Sequence, residues 1–540
     1  MNTLYGYYLQ NLNQKTIQEI GYILYMKILR KFFTVGIAVS GSRILGFIRE
    51  TFMASTLGIG FIADAFYIAF RFPNLFRRLL AEGILHTSFI PLFSEETKKN
   101  GADSAQRLSS EILSVLFWML LILTVVIELT MPLLVRFVLA PGFYHINAAE
   151  YSLVVKLSTI MFPYLMCMSL TALMSGMLFS LGYYFIASIS PIFLNIVLIF
   201  VMIYATLNQY SAQDAAYLLS WGVLLSGIIQ FSVVYFFVKN TGIKILLQYP
   251  HITDNVKKFL KITLPIVFTG GIVQINQTVG QAIASGKEGT ISSLQYAERI
   301  YQLPLGVIGS AIGIILLPEL SRLFKEGNRK KIFLIQNRTI EFICFFTIPI
   351  VFALCTLSEE IIRVLYERGA FTQENTTIVS TIISIYSLGI PGFILTKALQ
   401  PEFYARKDTK TPMKFTLISA LVNLGLAIIL FPFIGGYGIA YAEIIAGWLN
   451  TICLATNLLK RKKILLSSKT IYHVLSFLAS SGIMWIAIMF LKSYFSTLIV
   501  PGEPFINKFK ALTIILLSGA LIYFVSTILF VGKNFLKLLK

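Results

Sequence analysis

The sequence predicts an all-α polytopic membrane protein, with two six-helix lobes related by a pseudo-twofold axis around a central cavity and two further helices at the C-terminus. Three observations carry that expectation. Of 540 residues, 56% are hydrophobic and only 13% charged, against about 25% charged in soluble domains, and the mean hydropathy is +0.77. Apolar runs of about 20 residues, the length that crosses a bilayer, recur along the chain and give about fourteen spans. Polar landmarks of the first half also return in the second at a nearly fixed offset.

Taken in order, residues 1–30 form a polar N-terminal leader. Met1 to Tyr25 lacks the apolar core and small-residue cleavage site of a signal peptide. It reads either as a short cytoplasmic amphipathic tail or as chain upstream of a start at Met26. The first lobe, 31–240, takes the apolar runs at 33–57, 61–92, 110–139, 152–181, 184–208 and 214–238. The second, 241–463, takes 258–284, 291–320, 333–357, 374–402, 411–434 and 437–459. The final pair, 464–540, takes 470–496 and 509–532. The longest connection, around 239–257, has the size of one interfacial helix.

Loop charge sets the orientation. Lys98, Lys99 and Arg107, Lys239 and Lys244, Arg329 to Lys331, Arg406 and Lys407, and Lys460 to Lys463 fall on one side. The loops at 57–60, 140–150 and 434–437 on the other side hold no Lys or Arg, with Lys287, Arg363, Arg368, Lys492 and Lys508 as exceptions. Both termini are therefore expected in the cytoplasm. The net charge of +20 reads as inner-leaflet attraction to anionic lipid, not as a nucleic-acid footprint.

The repeat is visible in VRFVLAPGF, which holds Arg136 and Gly142, and IRVLYERGAF, which holds Arg363 and Gly369. Each pair is 227 residues apart; Pro91 and Pro318 keep that offset, and Asn195 and Asn423 differ by 228. Two copies with an even number of helices insert with one orientation, so they are related by an axis along the membrane normal.

The chemistry concentrates between Ser40 and Glu95. Arg43, Arg49, Glu50, Asp64, Arg71, Arg77, Arg78 and Glu82 lie in runs of membrane-spanning character. A charge at bilayer depth costs at least ~2.5–3.5 kcal/mol, so it faces a wet cavity, a partner or a ligand. On one helix, Asp64, Arg71, Arg78 and Glu82 would share a stripe, which Pro73 bends. The acids, including Glu298, read first as partners of neighbouring arginines. The surplus guanidinium calls for an anion, and its planar fork grips phosphate oxygens bidentately. A diphosphate is the economical ligand. The second copy offers Glu298, Arg299 and Gln302 in the corresponding helices, and Lys397 further on.

Other chemistry is missing from the sequence. Cys167, Cys344, Cys355 and Cys453 sit in apolar runs without a C-x-x-C pair, and the four histidines are scattered, so neither a metal site nor a cofactor is expected. No phosphate-cradling G-x-x-x-x-G-K-[ST] loop occurs. No loop is long enough to fold a catalytic domain, and an enzyme is not expected.

SRILGFIRE, ADAFYIAFRFPNLFRRLLAEG and AERIYQLPLGVIGSAIGIILLPELSR resemble the MurJ (MviN) family of lipid II flippases, within the multidrug/oligosaccharidyl-lipid/polysaccharide exporter superfamily. The resemblance runs from about Met26 to the C-terminus. It implies movement of an undecaprenyl-diphosphate-linked peptidoglycan precursor from the cytoplasmic to the periplasmic leaflet of a bacterial inner membrane. It also implies a lipid-tail groove at the final helix pair and a monomer whose coupling ion the sequence does not name. It further implies Arg43, Arg49, Arg77 and Arg299 as cavity arginines, Asp64 as a sensitive acid, and Ser42, Asn74 and Ser292 near the cavity and its portal. Gln302 and Asn276 depart from the family pattern, which commonly has Glu and Asp there. The alternatives are an exporter of another lipid-linked oligosaccharide or of small amphipathic drugs; a cationic-drug exporter would want unpaired acids instead of an arginine surplus.

Overall fold

Glycine and proline positions set the ends of the helices. The computed structural model describes residues 14–77, 88–146, 148–461 and 466–532, and no strand occurs among them. Helix α1 (Gln14–Leu57) runs unbroken through the polar leader into the first apolar run. It stops where Gly58 takes a left-handed φ of 65°, a conformation that suits glycine. After Gly60 come α2 (Phe61–Arg77), α3 (Ile90–Asn100) and α4 (Ala102–Leu134), which a π-helical turn extends to Leu139. Then follow α5 (Pro141–Ile146), α6 (Ala148–Met161), α7 (Tyr164–Leu181), α8 (Tyr184–Leu207) and α9 (Ala212–Asn240).

The second set comprises α10 (Asp254–Ala284), α11 (Thr290–Glu326), α12 (Arg329–Leu365), α13 (Gln373–Ser387), α14 (Ile390–Ala405), α15 (Lys410–Ile434) and α16 (Gly436–Lys460). The chain closes with α17 (Ser468–Tyr494) and α18 (Phe505–Val531). Several starts carry the side-chain caps their sequences offer: Thr253 accepts from the Val256 N–H, Asn328 from Lys331 and Thr372 from Asn375.

The repeat is present in the packing. Helix α1 packs on α8, α8 on α9 and α7 on α9; correspondingly α10 packs on α15, α15 on α16 and α14 on α16. Pro163 and Pro391, 228 residues apart, stand at equivalent breaks between α6 and α7 and at the start of α14. By length and apolar composition, ten segments among the described residues can cross a membrane. Helices α1, α2, α10 and α11, which the sequence expectation also counted as spans, fall outside that group, and three of them, α1, α2 and α11, carry most of the site's charges.

One face of α12 holds the final pair along its whole length. Asn337 Oδ1 accepts the Ser467 N–H at 2.9 Å, and Glu341 accepts the Thr470 hydroxyl at 2.6 Å and pairs with His473 Nδ1 at 3.0 Å. The Phe345 carbonyl accepts the Tyr523 hydroxyl at 2.7 Å. Towards the other end, Glu360 pairs with Lys492 at 2.8 Å and Arg363 donates to the Ile499 carbonyl at 3.0 Å. Asn337, Glu341 and Phe345 are successive turns of one helix face.

Residues 243–253 of the connection between the sets form no helix. Helix α4 supplies the hydrogen-bond partners of the stretch 244–248. The N–H groups of Lys244, Leu246 and Gln248 donate to Gln106, Ser110 and Ser114, and Trp118 Nε1 donates to the Gln248 carbonyl. Alternate residues of an extended chain advance about 6.6 Å, close to the roughly 6 Å between helix positions four apart. The strap therefore stays in register with successive turns of α4.

Candidate functional site

Two adjoining cavities lie between the sets. The smaller, about 130 Å³, is lined by residues of α1, α2, α10 and α11, among them Arg49, Glu50, Arg71, Asn74, Glu298 and Arg299. The larger, about 680 Å³, shares Arg71 and Glu298 and continues into the second set past Lys397, Asn423, Glu443 and Asn450.

Glu50 is the centre of the smaller cavity. It is 1% exposed and accepts from Arg49, from Arg299 of the opposite set at 2.7 Å, and from the Tyr67 hydroxyl at 2.8 Å. Arg49 also lies 5.7 Å from the centre of the Phe70 ring, a cation–π distance. One carboxylate of the first set thus holds Arg299 of the second, beside Arg49 of its own helix. Arg299 remains about one-third exposed, so part of its fork still faces the cavity.

The remaining charges do not cancel. The residues lining the two cavities include Arg49, Arg71, Arg299 and Lys397 against Glu50, Glu298 and Glu443. Arg71 and Lys397 make no ion pair among the described residues. Glu298 accepts from Gln302 Nε2 instead of from an arginine, and Glu443 accepts from the Tyr301 hydroxyl at 3.0 Å. Arg43 sits beside this group, its Nη1 3.2 Å from where a Gly306 Cβ would stand, while the end of Lys397 fills the notch at Gly309 three residues on. Two cations from opposite sets therefore rest on one glycine-bearing face of α11. The surplus anticipated from sequence exists, but it is smaller than the arginine count suggested, because Glu50 neutralises much of it.

Among the described residues Asp64 has no cation partner, and it does not line either cavity. It is fully buried, and Oδ1 accepts the Ser292 N–H at 2.6 Å. Helix α11 has no cap of its own, since Gly289 stands at the N-cap position, so α2 provides the cap from the other set. The arrangement is reciprocal: Glu288 accepts the N–H of Phe61, the first residue of α2, at 3.0 Å. At this same end the Tyr296 hydroxyl donates to the Gly58 carbonyl at 3.0 Å and the Ala370 N–H to the Ser55 carbonyl at 2.8 Å. This end of the inter-set space is sealed by side-chain and backbone contacts to the backbone of the opposite set.

The other sequence candidates divide. Arg77 donates to Asn74 Oδ1 at 2.9 Å on the last turn of α2. Ser42 contributes its carbonyl, which accepts from Asn195 at 3.1 Å. Ser292 belongs to the seal through its backbone. Arg78 and Glu82 lie outside the described residues, so the stripe through them is not described. Sequence reasoning passed over Glu443 and Glu288. Glu443 was legible as a lone acid within an apolar helix; Glu288, in a short turn, carried no such signal.

The family model described as lipid II flippase MurJ matches residues 53–510. A probable lipid II flippase MurJ of Rhizobium tropici is 51% identical over 509 residues, 94% of this chain and 95% of that protein. Another, from Rickettsia prowazekii (strain Madrid E), is 34% identical over 487 residues, 89% of this chain and 94% of its own. Among solved structures, a lipid II flippase MurJ in an inward closed conformation matches with a TM-score of 0.75 at 28% identity, covering 92% of this chain and 98% of that one. An inward-facing multidrug resistance transporter of the MATE family shares the fold, with a TM-score of 0.62 at 14% identity over 79% of this chain and 99% of its own.

Proposed function

The chain belongs to the lipid II flippase MurJ family, and from that premise we propose that it carries lipid II across the bacterial inner membrane by alternating access, binding the diphosphate in the cavity between the sets. The observation that supports this most is the meeting of Arg49 and Arg299, from opposite sets, on one buried Glu50. A diphosphate can compete with Glu50 for both guanidinium groups, because phosphate oxygens accept the same bidentate pattern as a carboxylate. Arg43, Arg71 and Lys397 supply positive charge, with no carboxylate within ion-pair distance among the described residues. Arg77 and Asn74 stand at the far end of α2, where a headgroup would enter.

In this reading the sealed end faces the periplasm and both termini face the cytoplasm, as the loop charges expect. Headgroup binding draws Arg49 and Arg299 off Glu50, which loosens the tie between the sets. The protein works as a transporter and as a monomer, and the final helix pair receives the lipid tail.

The test scores surface exposure of labelled lipid II in depleted cells complemented with Arg43→Ala, Arg49→Ala or Arg299→Ala. Loss of exposure is expected for Arg49→Ala and Arg299→Ala, with a smaller loss for Arg43→Ala. Full activity in all three would remove the diphosphate clamp.

A further inference from the structure

The two glycines that mark the sequence repeat have no place in the cavity, and the structure shows where they are needed. Gly142 follows the π turn at the end of α4, and its N–H donates to the Ser285 hydroxyl at 3.0 Å. Gly369 follows α12, and the next N–H, of Ala370, donates to the Ser55 carbonyl at 2.8 Å. Ser55 lies at the end of α1 and Ser285 at the end of α10, the first helix of each set. Each serine hydroxyl donates back to a carbonyl three residues earlier, Phe52 at 2.8 Å and Ala282 at 2.7 Å. The loop of each set therefore rests on the first helix of the other, in two related contacts.

Both contacts exclude a side chain. A Cβ on Gly142 would stand 2.3 Å from the Ser285 carbonyl oxygen, and one on Gly369 would stand 2.4 Å from that of Ser55. The obstructing atoms are backbone at the ends of long helices, so they cannot swing aside as a flexible side chain does. Gly369 also has a φ of +58°, which penalises any other residue, whereas Gly142 has no such requirement. Gly142 thus isolates the effect of close approach from that of backbone strain.

We propose that Gly142 and Gly369 are the positioning residues of a twofold gate, and that their missing side chains allow the sealed end to close. A methyl group at either position separates the sets at this end and biases the protein towards the state open there. The inference rests on the alternating-access reading, but it concerns access, which can be read without lipid II.

The experiment uses the full chain in proteoliposomes, with Cys167, Cys344, Cys355 and Cys453 replaced by alanine and Thr278→Cys in the smaller cavity as reporter. A membrane-impermeant maleimide is added from the side of the sealed end. Gly142→Ala and Gly369→Ala should each raise the labelling rate about tenfold, the scale of an overpacked contact. Gly425→Ala, where nothing stands within 4 Å of the added methyl, should leave it unchanged. Labelling at the parental rate in folded Gly142→Ala and Gly369→Ala would overturn the proposal. Should neither variant fold, Pro141→Cys and Gly286→Cys joined by a short bis-maleimide should shut the end and abolish labelling; undiminished labelling of the linked protein would equally overturn it. A gate that responds as described, in a protein that exposes no lipid II, would instead refute the flippase reading and leave the gate standing.

Discussion

The Asp64 carboxylate accepts the Ser292 N–H at 2.6 Å, so the first turn of α11 is capped by a helix from the other set. A cap contributes about 0.5–2 kcal/mol, and here that energy holds two bodies together instead of holding one helix in shape. Asp64→Ala should favour the state in which the sealed end is open and should reduce lipid II exposure. Asp64→Asn, which keeps an acceptor oxygen, should fall between Ala and the parent. Glu288→Gln likewise keeps an acceptor oxygen for the Phe61 N–H, at an exposed site where water can also replace it, and should cost less than Asp64→Asn. Cysteine accessibility from the sealed side, measured across the three variants, checks the order.

Glu50→Gln should be the most destabilising single change in the cavity. It leaves buried Arg49 and partly buried Arg299 without their shared counter-charge, and an uncompensated buried charge costs about 3–5 kcal/mol. Thermal unfolding in detergent measures the loss. Adding Arg299→Gln to Glu50→Gln should restore part of it, and strict additivity of the two changes would show that the residues are not coupled.

Arg43→Ala and Lys397→Ala should behave differently. Neither residue has a carboxylate partner within ion-pair distance among the described residues, so the unfolding temperature should stay near that of the parent while diphosphate binding weakens. Binding of a short-chain polyprenyl diphosphate at several salt concentrations separates the cases. Each variant should show a shallower salt dependence, because one cation fewer faces the anion.

Much of the site was legible because charge inside an apolar run has few physical explanations. Arg49, Glu50 and Arg299 could be nominated without coordinates, and the offset between Gly142 and Gly369 announced two copies. Asp64 was grouped with the arginines because seven-residue spacing puts it on the Arg71 face. Its partner is decided instead by a tertiary contact, the uncapped start of α11, which no helical periodicity encodes. The strap at 243–253 likewise depends on tertiary contacts that its own sequence does not announce. Its length suits a helix, but Gln106, Ser110, Ser114 and Trp118 on α4 offer hydrogen bonds to an extended chain.

The final helix pair offers a fourth test. Glu341 and His473 are each 5% exposed, and Glu341→Ala removes both the acceptor of the Thr470 hydroxyl and the carboxylate beside His473. The pair should loosen from α12 and open the start of α17 to protease, while Glu341→Gln, still able to accept from Thr470, should show less cleavage. Limited proteolysis of the purified protein reads the difference.

The acids on α12 also place a demand on how the chain is made. Glu341 and Glu360 find His473 and Lys492 only after more than a hundred further residues have been synthesised. Until then each carboxylate has to stay hydrated or protonated, or bear a cost of at least ~2.5 kcal/mol in hydrocarbon. Helix α12 thus reaches its settled place in the bilayer late, and a ribosome that stops before α17 releases a product with two orphaned acids, a mark by which membrane quality control can distinguish it from the finished protein.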